Sequence, residues 1–158
     1  MTRAYLSLGS NVEPELHLRA AVRALRERFG ALTVSPVYES PAIGFDGAPF
    51  WNLAASLESD LGVDALNLWL RALEDREGRR RDVPRYADRT LDIDVVAFGM
   101  QALDRPEWQQ AFLLAPLADI EPRLPVPEGD ETAGDRWRRL QDSEGATSLR
   151  RLDIDLLD

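Results

Sequence analysis

The amino-acid sequence predicts an α+β fold of the ferredoxin-like type, a βαββαβ sandwich in which helices pack on a mostly antiparallel sheet. Two observations lead to this prediction. Segments that alternate apolar with small or polar residues, as strands do, are interspersed with two segments whose apolar residues recur at helical spacing. Their order along the chain is strand, helix, strand, strand, helix, strand, which predicts a layer of helices on one face of the sheet.

The first strand is predicted at residues 4–8 and is expected to end in a turn at residues 9–11. A helix follows at 14–29, with Pro14 at its start and Gly30 directly after its end, as is typical of helix boundaries. The later elements are a strand at 32–38, a loop rich in glycine and proline at 40–49, a strand at 50–57, a helix at 63–77 and a strand at 91–98.

The pattern after Gly99 is weaker. Two short helices are expected, one at 112–120 that Pro116 interrupts and one at 135–141. Near the end of the chain, residues 152–155 repeat the LDID of residues 91–94. We expect this second copy to be a terminal edge strand or a frayed tail, and therefore to play no part in chemistry. With 158 residues, the chain is predicted to form a single domain, 1–158.

Composition excludes several classes of function. The chain has no cysteine, which excludes a disulfide scaffold, thiolate metal sites and a cysteine nucleophile. Its net charge of −9 argues against a nucleic-acid-binding protein. It shows no signal peptide and no long apolar span. We therefore expect a cytoplasmic location and no membrane association.

Positive charge is concentrated in one loop. The 19 basic residues are all arginine, and six of them fall between Arg76 and Arg89. Such a cluster on an acidic protein favours a local anionic ligand. The alternative is a solvated loop in a chain that simply uses arginine in place of lysine, and the composition alone leaves it open.

A pair of aspartates follows this loop directly. Residues two apart in a strand point to the same face, so Asp92 and Asp94 project together while Leu91, Ile93 and Val95 face the core. The pair could be an ordinary solvated strand surface, or it could bind Mg²⁺, which prefers oxygen ligands and shares them with phosphate groups. Arginines beside carboxylates favour the second interpretation, because this combination is used in phosphoryl transfer.

Four motifs in order resemble the 6-hydroxymethyl-7,8-dihydropterin pyrophosphokinase family. The resemblance runs from about residue 4 to residue 122 and leaves 123–158 as a C-terminal extension whose role stays open. Its motifs are YLSLGSN at 5–11, FWNLA at 50–54, RYADRTLDID at 85–94 and FLLAPL at 112–117.

The resemblance implies an enzyme of folate biosynthesis that transfers pyrophosphate from ATP, its co-substrate, to the hydroxymethyl group of the pterin, releasing AMP. It implies two Mg²⁺ ions held by Asp92 and Asp94, and catalytic roles for these aspartates with Arg79 and Arg89. The nucleotide would be contacted by Glu74, Arg79, Arg81, Arg89 and Tyr86. The pterin would be contacted by Ser40, Ala42, Ile43, Phe50, Asn52 and Phe112. The implied partners are small molecules, acting on a monomer, with a homo-oligomer left open.

The sequence departs from the family pattern near the triphosphate. It has no histidine between the aspartate pair and Phe112, no basic residue just before Phe112, and Asp82 where a lysine is common. We hypothesise that Arg80 and Arg105 compensate for the lost charge. Two alternatives remain: a divergent relative that binds a pterin with little or no ATP-dependent activity, and a noncatalytic interaction protein with this fold.

Overall fold

The computed structural model describes residues 1–42, 45–83, 87–143 and 148–157. Its elements in chain order are β1 (Thr2–Ser10), α1 (Pro14–Phe29), β2 (Leu32–Val34), β3 (Val37–Ser40), β4 (Phe50–Ser59), α2 (Val63–Arg76), β5 (Asp92–Phe98), β6 (Gln101–Ala102), a 3₁₀ turn (Pro106–Gln109), α3 (Ala111–Ile120), α4 (Ala133–Gln141) and β7 (Arg150–Leu152). Within these described ranges, no helix has the length and apolar character needed to cross a membrane.

The strands form one seven-stranded sheet in the order β6-β5-β1-β4-β3-β7, and β2 pairs with β4 beside β3. Every strand pair that the structure describes is antiparallel. The predicted α+β fold with a mostly antiparallel sheet is therefore confirmed. β1 lies between β4 and β5, which places the ends of these three strands side by side.

The region predicted as one strand at 32–38 forms two strands instead. Ser35 and Pro36 separate β2 from β3, because proline has no N–H to donate to the neighbouring strand. The Ser35 hydroxyl accepts a hydrogen bond of 2.8 Å from the backbone N–H of Ala54, which keeps this break attached to β4. The predicted turn at residues 9–11 is also wrong in part, since β1 continues through Gly9 to Ser10.

Helices cover both faces of the sheet, whereas the sequence predicted a layer on one. α1 and α2 pack on the first face, where Leu18 and Leu70 join a core with Leu6. α3 and α4 cover part of the second face, where Leu114 packs against Val96. The apolar residues of α3 are mostly buried, and the helix continues through Pro116 without the expected interruption.

The C-terminal segment is part of the fold. β7 pairs with β3 at the edge of the sheet, with Leu152 opposite Val37. Ile154 and Leu156 then pack against the first core, while Asp153 and Asp155 point to solvent. The second LDID therefore begins in an edge strand, as predicted, and continues as a packed segment rather than a frayed tail.

Leu156 is expected to contribute strongly to stability although it lies two residues from the end of the chain. Its side chain is only 4% exposed, so the Leu156→Ala variant should lose about 2–4 kcal/mol of unfolding free energy through lost burial and a residual cavity. Urea denaturation of the variant would measure this loss. The neighbouring Leu157→Ala change is the control, because Leu157 is 36% exposed and its loss should cost within about 0.5 kcal/mol. Equal effects of the two changes would contradict the packed position of Leu156.

Candidate active site

A cleft of about 410 Å³ opens on the second face of the sheet, next to the start of α3. It brings together residues that are far apart in the sequence. Eight of the residues implied by the resemblance line it: Ser40, Phe50, Asn52, Arg79, Arg89, Asp92, Asp94 and Phe112. The cleft therefore joins the aspartate pair, two arginines of the basic loop and the predicted aromatic residues in one space.

The strand register builds the floor of this cleft. Asp92 lies opposite Gly9 and Asp94 opposite Ser7, and Gly9 lies opposite Asn52 on the other side. Residues directly opposite each other share a face of the sheet, so both carboxylates and the Asn52 amide point into the cleft. A Cβ on Gly9 would lie 3.3 Å from Asn52 Oδ1, so glycine keeps the space between carboxylates and amide open.

The two carboxylates repel each other. Asp92 and Asp94 are 38% and 32% exposed, respectively. Burial first, and then the charge of Asp92, raises the pKa of Asp94 to about 6, although Arg71 and Arg105 lower it in part. A raised carboxyl pKa means that the fully ionised pair is under-neutralised, and a cation between the two groups would relieve this.

This donor set fits magnesium. Among the residues that the structure describes, no cluster of three or more His, Cys, Asp or Glu could enclose a metal ion by itself. Two carboxylates with open space beside them suit Mg²⁺, which keeps several waters and takes its remaining ligands from substrate phosphates.

A buried glutamate holds the arginines at the cleft wall. Glu74, on α2, has no exposed surface, and its carboxylate accepts the backbone N–H of Ile93 at 2.8 Å. Three guanidinium groups surround this carboxylate: Arg71 at 3.2 Å, Arg79 at 3.1 Å and Arg81 at 2.9 Å. Because a buried charge requires partners, this cluster fixes the loop after α2 against β5.

Two of these arginines reach the aspartate pair. Arg79 Nη1 lies 3.2 Å from Asp92 Oδ1, and Arg71 Nη2 lies 3.4 Å from Asp94 Oδ1. Arg81 turns away instead, with Nε 3.0 Å from Asp75 Oδ1, and does not line the cleft among the described residues. Arg80 is exposed and paired with Asp82 at 2.9 Å, whereas Arg105 lies beside β5 with Nε 3.4 Å from the carbonyl of Val95.

The far end of the cleft is aromatic and amide-lined. Asn52 is buried, and its Nδ2 donates to the Ser40 hydroxyl at 2.8 Å, which fixes the orientation of the amide. The rings of Phe45 and Phe50 meet edge to face, with centroids 6.5 Å apart. Phe112, at the start of α3, completes this end. A flat heterocycle with polar edges fits such a surface.

Three of the predicted site residues are not placed at the cleft by the structure. Ala42 is not among the described residues that line the cleft. Ile43 and Tyr86 lie outside the described residues.

Three residues at the cleft or beside it were not predicted from the sequence: Arg71, Phe45 and Asn11. Arg71 precedes Glu74 by three residues, so helical spacing places both on one face of α2, and this signal was available. Phe45 lies in the glycine- and proline-rich loop, where no periodicity indicates which way its side chain points.

Glu107 and Gln110 also line the cleft, in the segment where the expected histidine and basic residue are missing.

Asn11 links the two loops beside the cleft. Its Nδ2 donates to the carbonyl of Ala48 at 3.1 Å and to Asp88 Oδ1 at 2.8 Å. Its Oδ1 accepts the backbone N–H of Arg89 at 2.7 Å. One side chain thus holds the segment before β4, the segment before β5 and the end of β1 together.

Comparison with known proteins agrees with this arrangement. Residues 5–122 match the family model described as 7,8-dihydro-6-hydroxymethylpterin-pyrophosphokinase (HPPK). A Pseudomonas aeruginosa protein named 2-amino-4-hydroxy-6-hydroxymethyldihydropteridine pyrophosphokinase is 39% identical over 140 residues, which are 80% of this chain and 85% of that protein. A Methylorubrum extorquens protein of the same name is 36% identical over 155 residues, 90% of this chain and 96% of that protein.

Solved structures show the same fold. A crystal structure of an HPPK-DHPS chain in complex with substrates superposes with a TM-score of 0.75 over 98% of this chain, at 11% sequence identity. This chain spans about half the length of that longer chain, 49%. At this level of identity the superposition supports the architecture and leaves the chemistry to the residues of the cleft.

Proposed function

The chain belongs to the 7,8-dihydro-6-hydroxymethylpterin-pyrophosphokinase family, and from this premise we propose how its cleft transfers pyrophosphate from ATP to the hydroxymethyl group of 6-hydroxymethyl-7,8-dihydropterin in folate biosynthesis. The observation that carries the proposal is that one cleft joins an aspartate pair, arginines and an aromatic end with a fixed amide. The pterin oxygen forms a bond to the β-phosphorus of ATP, the bond between that phosphorus and the α-phosphate oxygen breaks, and AMP leaves.

The charged end binds the nucleotide. Asp92 and Asp94 would hold two Mg²⁺ ions, which would supply positive charge to neutralise the phosphate groups. Arg79 and Arg89 line the cleft and would bind the phosphate oxygens, since guanidinium groups bind phosphate through paired N–H donors. The structure supports an indirect role for Glu74, which orients Arg79 from a fully buried position. Arg81 is paired with Glu74 and Asp75. It would either help Glu74 to orient Arg79 or turn toward the phosphates when the nucleotide binds.

The aromatic end binds the pterin. Phe50 and Phe112 would hold the ring from its two sides, and Asn52 would read its polar edge. Ser40 accepts one N–H of the Asn52 amide and so fixes which atoms of that amide face the ring. Ala42 and Ile43 are proposed to assist through their backbone groups, and Tyr86 is proposed to contact the nucleotide.

No side-chain base is required. The single histidine, His17, lies on α1 with Nδ1 2.9 Å from Glu77 Oε1, away from the cleft. The proton of the pterin hydroxyl is released to solvent as the new bond forms. Positioning and charge neutralisation supply the catalysis, as is general in phosphoryl transfer.

The proposed enzyme is a single domain that acts as a monomer. We propose one catalytic domain, 1–158, because β7 and Leu156 tie the C-terminal segment to the sheet and core. We also propose that it acts as a monomer in the cytoplasm, which sedimentation analysis and cell fractionation would examine.

The reaction predicts a specific distribution of phosphorus. With ATP, Mg²⁺ and 6-hydroxymethyl-7,8-dihydropterin, the protein should release AMP in equal amount to the pyrophosphorylated pterin. Label from the β-phosphate should enter the pterin, and label from the α-phosphate should stay in AMP. Thin-layer separation of the labelled products would measure both.

Omitting the pterin is the control and should stop AMP release. Release of ADP instead would indicate transfer of a single phosphoryl group. Pterin binding in calorimetry without any AMP release would support the alternative of a divergent pterin-binding relative.

A further inference from the structure

Arg71 occupies a position at the cleft that the mechanism above does not use. It projects from α2, lines the cleft, and is about a third exposed. One end of its guanidinium contacts Glu74 at 3.2 Å. The other end donates to the carbonyl of Ile93 and lies 3.4 Å from Asp94 Oδ1.

The contact with Asp94 is the weakest of these. A donor–acceptor distance of 3.4 Å is long for a charge-assisted hydrogen bond, which is usually under 3 Å. Within the described part of the chain, the buried Nε of Arg71 finds no hydrogen-bond partner. Arg71 is thus held firmly at Glu74 and at the Ile93 carbonyl and loosely at Asp94, and its Nε donor is left unpaired.

This geometry makes Arg71 a competitor of metal ions at Asp94. A divalent cation that binds the aspartate pair must displace the guanidinium or accept its positive charge close by. Anionic phosphates that arrive with the cation reverse this effect, because they give the displaced N–H donors a new partner.

We propose that Arg71 is a phosphate-binding residue of this chain that neutralises Asp94 until the nucleotide arrives, so that it weakens binding of a divalent cation alone and strengthens binding of the cation with nucleotide. This inference rests on the proposed function, since it requires a polyphosphate in the cleft. It also accounts for part of the positive charge that the sequence lacks near Phe112, where Glu107 and Gln110 line the cleft. Arg80, which is exposed and paired with Asp82, does not reach this position.

Two binding measurements on the Arg71→Gln variant test the proposal without turnover. Titration with Mn²⁺ alone, followed by electron paramagnetic resonance, should show affinity increased by about two- to fivefold, the range expected when a partly exposed ion pair is removed. Calorimetric titration with α,β-methylene ATP and Mg²⁺ should show affinity reduced by about tenfold or more, as expected for a lost charged hydrogen bond. The opposite signs distinguish this role from general damage, which would weaken both.

Arg71→Lys keeps the charge without the paired donors, so it should leave Mn²⁺ affinity near that of the unchanged protein and recover part of the nucleotide affinity. This variant also serves if Arg71→Gln does not fold. Arg76→Gln is the matched control, because Arg76 is an exposed arginine on the same helix, and it should change neither affinity. Unchanged affinities in Arg71→Gln, or changes in the same direction, would overturn the proposal. Absence of AMP release by the unchanged protein would instead count against the proposed function.

Discussion

Replacing Asp94 by asparagine is expected to reduce AMP release by about 10²- to 10³-fold or more, because the carboxylate charge proposed to hold the metal-bound triphosphate is lost. The side chain keeps its size, so the cleft should keep its shape. A steady-state assay at saturating ATP would measure the loss. Asp153→Asn is the matched control, since Asp153 lies in the second LDID, points to solvent and should leave activity unchanged.

The same change should stabilise the metal-free protein at neutral pH. Folding raises the pKa of Asp94 from its ordinary 3.8 to about 6, chiefly through burial and the charge of Asp92. The folded state therefore binds more protons than the unfolded state between these values, and stability falls as pH rises through that window. Above this pH window, the ionised Asp94 carboxylate lowers the free energy of unfolding by the full cost of its burial and its repulsion from Asp92. Asparagine is uncharged and removes this cost.

Thermal denaturation in the presence of a chelator would check this second effect. Near pH 7.5 the Asp94→Asn variant should exceed the unchanged protein by about 1–2 kcal/mol, a value reduced by partial solvent exposure. The difference should shrink toward pH 4. A variant that is less stable than the unchanged protein at both pH values would show that Asp94 stabilises the fold instead.

Replacing Glu74 by glutamine is expected to have the largest effect on stability. The carboxylate is fully buried and contacts Arg71, Arg79 and Arg81. Removal of its charge leaves these guanidinium groups under-neutralised beside a buried surface, which should cost about 3–5 kcal/mol of unfolding free energy. Because Arg79 loses its anchor, the KM for ATP should also rise.

Urea denaturation and ATP titration of Glu74→Gln would measure the two effects. The control is the next residue along the helix. Asp75 also pairs with Arg81 but is largely exposed, so Asp75→Asn should cost at most about 1 kcal/mol and leave the KM for ATP unchanged. Similar costs for the two variants would show that burial of the Glu74 carboxylate does not matter.

Much of the site could be predicted from local sequence because it depends on strand periodicity. The two-residue spacing placed Asp92 and Asp94 on one face, and the core positions of Leu91, Ile93 and Val95 confirm that direction. The spacing did not reveal what lies opposite. That depends on the antiparallel register with β1 and β4, which joins residues about 40 to 90 positions apart in the chain and leaves no local signal.

Two differences from the predicted fold have different causes. Pro36 separates β2 from β3 because it has no N–H to donate to β4, which is a local signal present in the sequence, and the Ser35 hydroxyl keeps this break attached to β4. The second layer formed by α3 and α4 arises from tertiary contacts instead. α3 accommodates Pro116 because that helix is largely buried against the sheet, so packing there overrides the local preference of proline.

The two LDID copies illustrate the same limit. Their letters are identical, yet Asp92 and Asp94 contact arginines at the start of β5, beside the central strand β1, and Asp153 and Asp155 face water after the edge strand β7. Position in the sheet, rather than the motif, separates a charged site from an ordinary surface.

Asn11 has a consequence for how the two substrates affect each other. Its single amide group holds Ala48, on the proposed pterin side, and Asp88, on the proposed nucleotide side. Because the same amide binds both segments, we expect a displacement of one segment to affect the position of the other. Occupancy of one subsite should therefore change affinity at the other, and thermodynamic reciprocity requires the same factor in both directions.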